Sequence, residues 1–434
     1  MIWAKEEQYS RGEIESLQLE RLKKQVQYAW ERVPYYKAKM DAIHVKPSDI
    51  QTLADVAKLP FVTKKDFRDS YPFGLFAVPK TDLLRIHASS GTTGKPTVVG
   101  YTAKDMENWI DTVARVACMG GAGPDDMAQI CFGYGMFTGA LGLHEGLTKV
   151  GATVIPASVG NSQKQLMYMQ DLGTTLLVAT PSYAMHLVEI IRGMGVDPAR
   201  DLQVRTALCG GEAMSPALRN DLLKAWGPQM RLTQNYGMSE LNGPGVSGEC
   251  LEYQGLHVNE DHFLAEIIDP DTGEVLPPGE KGELVISCLT KEAIPLLRYR
   301  TRDITRLDYS PCACGRNTVR MEILSGRADD MLIIRGVNVF PSHIEEVLRE
   351  VPEIGPHYQI TVDTKDYLDT VLIQVELVDN RLLDSYTKLE KLEHDIHQRL
   401  RAGLGIDCRI KLEAPGKLPR YEGKAKRVDD KRPK

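Results

Sequence analysis

Long apolar runs and an excess of basic charge are both missing from this sequence, and each absence excludes a class of protein. No apolar run reaches the roughly 20 residues that a membrane-spanning helix needs, so we expect no membrane contact. The opening residues, MIWAKEEQYSRGEIESLQ, are charged and predict a helical region over residues 1–60. They lack the apolar core of a secretion signal, which predicts a cytoplasmic protein. Lysine and arginine total 53 against 59 aspartates and glutamates, so no overall basic charge favours a nucleic-acid partner.

Cysteine is also sparse, with eight in 434 residues. Most stand alone in apolar stretches, as buried reduced thiols do, so the sequence predicts no disulfide framework. The exception is Cys312 and Cys314, which one alanine separates. With Cys250 and His257 they offer three sulfurs and one imidazole, the ligand set of a closed structural Zn²⁺ site. Free thiols and a strained disulfide are the alternative interpretations.

What the sequence does contain is a regular alternation of short apolar runs and amphipathic segments. Runs such as 128–132, 175–180 and 204–210 recur roughly every 25 residues, which predicts an α/β fold built on a parallel sheet. Ligands of such folds bind at the carboxyl ends of the strands. Strand and turn patterns after about residue 255 predict a smaller β region, and a small α+β unit follows. We therefore expect two domains, 1–326 and 327–434.

The segment HASSGTTGKPT has the features of a loop that binds a polyphosphate. Its glycines permit a tight bend and let backbone N–H groups approach an anion, while hydroxyls and a lysine add donors and charge. Proline follows the lysine, so the segment is not a P-loop of the G-x-x-x-x-G-K-[ST] type. A polar surface loop is the alternative. The candidate phosphate-binding residues are Ser89, Ser90, Gly91, Thr92, Thr93, Gly94 and Lys95.

Two more polar segments follow predicted strands. In 210–213 (GGEA), glycines let a flat ligand lie against the backbone, although a plain turn is the alternative. In 234–240 (QNYGMSE), Tyr236 offers an aromatic face to a base and Asn235 can read an amide or amine edge. Glu240 is a hard oxygen ligand suited to Mg²⁺. The candidate nucleotide-binding residues here are Gly211, Glu212, Ala213, Asn235, Tyr236, Gly237, Met238 and Ser239.

An aromatic and glycine-rich segment, FGYGMFTG at 132–139, follows another predicted strand. Such a segment can line an apolar pocket for an acyl group, although packing in a core is the alternative. The candidate pocket residues are Tyr134, Phe137, Thr138, Gly210 and Pro244.

The order of these segments resembles the adenylate-forming superfamily, and most of all its phenylacetate–coenzyme A ligase family. The phosphate loop has the superfamily's [ST]-[SG]-G-[ST]-T-G-x-P form, and YGMSE has its YG-x-[ST]-E form. GRADD and a P-x-x-x-x-G-K segment follow in the superfamily's order, so the resemblance spans residues 87–424. FGYGMFTG is similar to the FGYGLFTGG type of segment found in this ligase family.

The resemblance implies an ATP-dependent ligase that joins a small aryl carboxylic acid, first of all phenylacetate, to coenzyme A through an acyl-adenylate. Asp303, which we expect at a strand end, would bind the ribose hydroxyls, although a structural pairing with neighbouring arginines is the alternative. Arg327 would contact the nucleotide, Asp329 would be the hinge of a mobile C-terminal domain, and Lys424 would be the adenylation lysine. The resemblance also implies Mg²⁺ on Glu240 and a homodimer.

Three alternative functions stay open on the sequence. The acid could be of the indoleacetate or benzoate type. The chain could be an adenylyltransferase similar to coenzyme F390 synthetase, which does not use coenzyme A. It could also be a module of another class, one that binds a nucleotide or loads a carrier protein. Pyrophosphate release with a panel of acids, with and without coenzyme A, separates these functions.

Overall fold

The computed structural model describes residues 1–89, 96–212, 214–324, 326–327, 332–334, 337–339, 341–365, 368–384, 386–404, 407–421 and 425–432. The α-helices among them are α1 (Arg11–Arg32), α2 (Pro34–Ala42), α3 (Lys64–Asp69), α4 (Ala103–Met119), α5 (Thr138–Val150), α6 (Ser162–Asp171), α7 (Pro181–Gly193), α8 (Pro198–Asp201), α9 (Pro216–Trp226), α10 (Pro341–Arg349) and α11 (Tyr386–Leu404). Within these ranges, no helix combines the length and apolar composition that crossing a bilayer requires.

The N-terminal region is helical because its polar sequence carries a narrow apolar stripe. Ser10 caps α1 through a reciprocal arrangement in which the Glu13 carboxylate accepts from the Ser10 N–H at 2.8 Å. Ile14, Leu22 and Val26 then recur at multiples of four residues and are buried against the rest of the protein. The helical prediction for this region is confirmed.

The large sheet has nine strands in the order β13-β14-β9-β8-β7-β6-β5-β3-β4. Its strands are β3 (Met127–Ile130), β4 (Thr153–Ile155), β5 (Leu176–Ala179), β6 (Thr206–Cys209), β7 (Arg231–Met238), β8 (Gly243–Glu249), β9 (Leu256–Val258), β13 (Leu307–Asp308) and β14 (Arg320–Met321). From β4 to β7 the strands are parallel, whereas β7 to β13 pair antiparallel. The predicted α/β fold with a parallel sheet is confirmed.

Three smaller sheets complete the large N-terminal part and begin the C-terminal part. Strands β1 (Arg85–Ser89) and β2 (Thr97–Tyr101) pair antiparallel on either side of the predicted phosphate loop. Strands β10 (Phe263–Ile268), β11 (Gly282–Cys288), β12 (Tyr299–Thr305) and β15 (Gly326–Arg327) form the predicted smaller β region. A hairpin of β16 (Leu332–Ile334) and β17 (Val337–Val339) follows.

The C-terminal residues have a hydrophobic core of their own. Strands β18 (Ile354–Lys365), β19 (Leu368–Leu377), β20 (Arg409–Glu413) and β21 (Val428–Asp430) form one sheet in the order β20-β19-β18-β21. Apolar side chains of this sheet pack with those of α10, α11 and the preceding hairpin in a separate cluster. A separate core is what an independently moving domain needs. The boundary at 326 and 327 stays a prediction.

Two predicted placements are wrong. Residues 235–238 of the QNYGMSE segment lie inside β7, not after it, because β8 continues the pairing with Asn235 opposite Gly248. Asp303 likewise lies within β12 and not at a strand end, with Arg327 as its register partner on β15. Both strands extend further than their apolar runs indicate, since antiparallel neighbours accept polar residues on one face.

A buried ion pair joins the N-terminal segment to the smaller β region. Arg298 is 3% exposed, and its guanidinium donates to both carboxylate oxygens of Glu266, at 3.1 and 3.0 Å. A third nitrogen donates to the carbonyl oxygens of Ala57 and Leu59 at 2.8 and 3.1 Å. Removing the arginine would leave Glu266 buried without its counter-charge, which is costly in a low-dielectric interior.

We therefore expect Arg298→Met to lower the free energy of unfolding by about 3–5 kcal/mol, measured by urea denaturation. Arg306→Met is the control, because Arg306 pairs with Glu322 at a half-exposed position and its loss should cost less than about 1 kcal/mol. Equal losses in the two variants would contradict this account of Arg298.

Candidate active site

The candidate site forms where β5 and β6 of the large sheet end and the neighbouring β7 continues. Strand pairing sets Ala179 opposite Cys209 and Cys209 opposite Gln234, so β5, β6 and β7 reach the same level. Beyond that level β6 gives way to Gly210, and β7 carries the QNYGMSE segment. The predicted nucleotide-binding segments are therefore brought together at one edge of the sheet.

Gly210 and Gly237 lie at this edge of the sheet, where neighbouring atoms leave no room for a Cβ. The Asn235 side chain donates to the Cys209 carbonyl oxygen at 2.9 Å, and a Cβ on Gly210 would lie 2.8 Å from its Oδ1. A Cβ on Gly237 would lie 1.8 Å from the carbonyl oxygen of Gly243, where β7 and β8 cross closely. Gly237 is thus required by close backbone approach, and Gly210 makes room for the Asn235 amide, whatever ligand binds here.

Tyr236 and Asp303 meet at the contact between the two sheets. The Tyr236 hydroxyl donates to Asp303 Oδ2 at 2.6 Å, and both side chains are buried. The arginines near Asp303 pair with other carboxylates: Arg298 with Glu266, and Arg300 with Glu283. The contacts of these two arginines therefore do not support the alternative that Asp303 is a structural partner of its neighbouring arginines.

Glu240 follows β7 and is 2% exposed. Its Oε1 has no hydrogen-bond partner among the described residues, and Lys64 Nζ lies 3.6 Å away. The backbone on either side is anchored by Lys291, which donates from Nζ to the carbonyl oxygens of Glu240 and Leu241 at 3.1 and 2.8 Å. Burial lowers the pKa of Lys291. Sequence reasoning missed Lys291, because no motif surrounds it and its contacts are distant in the chain.

Other buried polar atoms around the candidate site also lack partners within the described ranges. Such orphaned groups are rare in native interiors and are typical of places that a ligand completes. Those in the predicted segments or beside them are His87 Nε2, Ser89 Oγ, Gln234 Nε2, Glu240 Oε1 and Asn242 Oδ1. The edge of the sheet therefore offers polar groups suited to a polar ligand.

The predicted acyl segment lies against the same edge. Thr138 Oγ1 lies 3.1 Å from Ser239 Oγ, which joins α5 to the QNYGMSE segment. Tyr134 is partly buried, with its hydroxyl 3.1 Å from His144 Nδ1. Phe137 is 47% exposed, so the alternative that it packs in the core is wrong. Pro244 is buried, and its carbonyl oxygen accepts from Trp109 Nε1 at 2.9 Å.

Glu212 binds two segments that are far apart in the chain. Its Oε2 accepts from the Ser182 hydroxyl at 2.7 Å, at the start of α7, and its Oε1 accepts from the backbone N–H of Ala425. Ala425 is the residue after the predicted adenylation lysine. This contact was missed on the sequence, where Glu212 had only a nucleotide-binding role.

Several predicted site residues fall outside the described ranges, and Arg327 is described in its backbone alone, as part of β15. Those outside are Ser90, Gly91, Thr92, Thr93, Gly94, Lys95, Ala213, Asp329 and Lys424.

The four predicted zinc ligands lie together at the far end of β8. The sulfurs of Cys250 and Cys312 are 3.7 Å apart, and Cys314 Sγ lies 3.4 Å from His257 Nε2. All four ligand atoms lie within 4.8 Å of one another. His257 Nδ1 lies 3.0 Å from the Thr318 hydroxyl, which orients Nε2 toward the sulfurs. All eight cysteines are free thiols, so the strained-disulfide interpretation has no support.

Most of the chain matches known protein families. Residues 26–288 match the family described as AMP-binding enzyme, and residues 336–432 match the AMP-binding enzyme C-terminal domain. The chain is 46% identical to the phenylacetate-coenzyme A ligase of Thermus thermophilus, over 97% of each chain. It is 44% identical to that of Escherichia coli strain K12, over 97% of this chain and 95% of the relative.

Solved structures of 2-hydroxyisobutyryl-CoA ligase are similar over the whole chain. The postadenylation state in complex with R3-HIB-AMP gives a TM-score of 0.91 at 26% identity, covering 98% of this chain and 91% of that one. The thioesterification state in complex with 2-HIB-AMP and CoA gives 0.73 at 27% identity, covering 99% and 92%.

The Tyr236 hydroxyl provides a test of the ribose role that the resemblance implies for Asp303. Tyr236→Phe removes a hydrogen bond to a buried carboxylate, worth about 1.5–3 kcal/mol, and so removes one of the contacts that orient Asp303. We expect ATP to bind about 5- to 30-fold more weakly, measured by isothermal titration calorimetry. Tyr134→Phe, which also removes one hydroxyl, should leave ATP binding unchanged. An unchanged dissociation constant in Tyr236→Phe would contradict the role of this pair.

Proposed function

This chain belongs to the AMP-binding enzyme family and, within it, to the phenylacetate–coenzyme A ligases, and from that premise we propose how its residues divide the work of ligation. The enzyme joins phenylacetate to coenzyme A with ATP and forms AMP. Identity of 43 to 46% with four phenylacetate-coenzyme A ligases, over nearly the whole chain, carries this conclusion. The resemblance predicted from the motifs is confirmed, and it favours phenylacetate over indoleacetate- or benzoate-type acids and over F390-type chemistry.

In the first half-reaction, a carboxylate oxygen of phenylacetate attacks the α-phosphorus of ATP, and pyrophosphate leaves from that phosphorus. The loop 89–95 holds the β- and γ-phosphates, Asp303 holds the ribose, and Lys424 stabilises the negative charge that develops between carboxylate and α-phosphate. Support for this assignment comes from the buried Tyr236–Asp303 pair and from the strand pairing that sets Cys209 opposite Gln234 and brings the segments together.

Glu240 suits the Mg²⁺ that accompanies ATP. It is a buried carboxylate whose Oε1 lacks a hydrogen-bond partner within the described part of the chain, and hard oxygen ligands are what Mg²⁺ prefers. The ion would supply positive charge to the phosphates.

In the second half-reaction, the coenzyme A thiolate attacks the acyl carbon and AMP leaves. For this step residues 327–434 rotate about Asp329, which carries Lys424 away and makes room for the thiol. The higher TM-score against the postadenylation state, 0.91 against 0.73 for the thioesterification state, supports an arrangement in this structure that precedes the rotation. The same family resemblance supports a cytoplasmic homodimer.

Lys424→Ala tests the central assignment. We expect phenylacetate-dependent pyrophosphate release to fall at least about 100-fold, because a single preorganised charge at the reacting centre is worth that much. Formation of phenylacetyl-CoA from supplied phenylacetyl-adenylate should largely survive. Lys426→Ala, an exposed lysine two positions on, should leave both half-reactions unchanged. Equal loss of both half-reactions in Lys424→Ala would refute the role.

We also propose a structural Zn²⁺ bound by Cys250, His257, Cys312 and Cys314. Tetrahedral coordination with Zn–S bonds of about 2.3 Å sets two sulfurs about 3.8 Å apart and a sulfur and a nitrogen about 3.6 Å apart. The distances of 3.7 and 3.4 Å fit this, whereas a disulfide needs about 2.05 Å. Four protein ligands leave no open position, so the ion would have no catalytic role.

Protein purified without chelator should contain about one Zn²⁺ per chain, measured by plasma emission spectroscopy. Cys312→Ser should lose the metal and lower the melting temperature, because the ion ties the end of β8 to the segment 312–314. Cys408→Ala, a buried cysteine of the C-terminal part, should keep the metal. A ratio near zero in the unmodified protein would end this proposal.

A further inference from the structure

Three carboxylates of the N-terminal part face polar groups of the C-terminal part. Glu189 lies on α7, Asp221 on α9, and Glu212 in the turn after β6. On the C-terminal side, Arg349, His357 and Arg420 supply side chains as partners, and Ala425 supplies a backbone N–H. The two surfaces are therefore complementary, with acceptors on one side and donors on the other.

Glu189 has the most partners of the three. Its Oε1 lies 2.8 Å from His357 Nε2 on β18, and its Oε2 lies 3.5 Å from Arg420 Nε. Burial acts against the charged form of Glu189, but the neighbouring His186 and His357 and the charge of Arg420 lower its pKa to about 2. Arg420 is itself held by Glu376 in a two-bonded pair at 2.9 and 2.7 Å. Glu189 thus contacts the guanidinium of Arg420, which Glu376 holds in place on the C-terminal sheet.

Asp221 makes the second ionic contact. Its Oδ2 lies 3.1 Å from Arg349 Nη1, at the last residue of α10. Arg349 also donates to Glu345 one turn earlier at 3.2 Å, which fixes the direction of its side chain. This contact joins a helix of the N-terminal part to a helix of the C-terminal part.

The contacts bracket Lys424 in the sequence. Arg420 precedes it by four residues and Ala425 follows it directly, and the first is held by Glu189 while the second is held by Glu212. Rotation of residues 327–434 away from the site would break all of these contacts, since their partners lie on α7, α9 and the β6 turn.

We propose that Glu189, Asp221 and Glu212 form a docking latch that positions the C-terminal domain for adenylation and opens for thioester formation. This inference rests on the proposed roles of Lys424 and of the domain rotation. The three are positioning residues, because they act on the reaction through the lysine segment.

The ion pairs of the latch are partly exposed and therefore weak. The side chains of Glu189 and Asp221 are 37% and 40% exposed, so water and salt screen their ion pairs with Arg420 and Arg349. A latch of this kind shifts a population between two arrangements without locking either. A buried pair would hold the domain too firmly to release it in each turnover.

The test uses Glu189→Gln combined with Asp221→Asn, which removes two charges and keeps the shape of each side chain. We expect the rate of phenylacetate-dependent pyrophosphate release to fall about five- to tenfold at saturating ATP. Conversion of supplied phenylacetyl-adenylate to phenylacetyl-CoA should be unchanged or faster, which also shows that the variant is folded. Glu107→Gln, an exposed glutamate that pairs with Lys104 on its own helix, should change neither rate.

The salt dependence of the two half-reactions provides a second measurement. A merely structural role of these carboxylates predicts no selective effect of salt on adenylation. At about 0.5 M salt the screening length falls to roughly 4 Å, so adenylation by the unmodified enzyme should fall by up to the same five- to tenfold while thioester formation is kept. The double variant should have little of this salt dependence, because its charges are already gone.

The Lys424→Ala enzyme separates failure of the latch from failure of the proposed function. If Lys424→Ala loses only adenylation while the double variant slows both half-reactions equally, or neither, the latch is overturned and the proposed function stands. If Lys424→Ala is not selective, the proposed function falls and the latch falls with it.

Discussion

The candidate site depends on one strand, β7, which pairs parallel with β6 and antiparallel with β8. The strand or the turn after it carries Asn235, Tyr236, Ser239 and Glu240, so its register decides which of these face the ligand. A slip of one residue would turn Tyr236 away from Asp303. Glu249 of β8 opposes such a slip: its buried carboxylate accepts from the Gln234 N–H at 3.0 Å and pairs with Arg219 at 2.6 Å.

The cysteine and histidine cluster supports the same strand from its other end. Cys250 follows β8 directly, and His257 lies on β9, the next strand of the sheet. The segment that carries Cys312 and Cys314 continues to Arg316, whose guanidinium pairs with the buried Glu7 near the N-terminus. One small cluster therefore connects the opening residues, the antiparallel half of the sheet and, through β8, the site. Its effect on catalysis would pass through the register of β7 and not through any reacting atom.

Much of this arrangement follows from local sequence, and the rest follows from contacts that no local pattern encodes. The alternation of apolar runs and helices predicted the parallel strands, because each run must be buried and each helix covers it. The motif order predicted the family. The sequence did not predict that β7 and β12 continue through their polar residues. Hydrogen bonding to the antiparallel neighbours β8 and β15 extends these strands, and the hydrophobic pattern does not show that pairing. Lys291, whose Nζ meets carbonyls about 50 residues away in the chain, has no signal of its own.

The ion pairs that anchor strands differ from those that join the two parts of the chain. Within the large N-terminal part, the pairs of Arg298 with Glu266 and of Arg219 with Glu249 are buried, and loss of one partner there costs several kcal/mol. Between the two parts of the chain the pairs are partly exposed, as at Glu189 and Asp221, where a single pair contributes about 1 kcal/mol or less. The proposed rotation between adenylation and thioester formation needs this difference. Strong pairs keep the strands and the site in register, and weak pairs would let the C-terminal part leave without disturbing them.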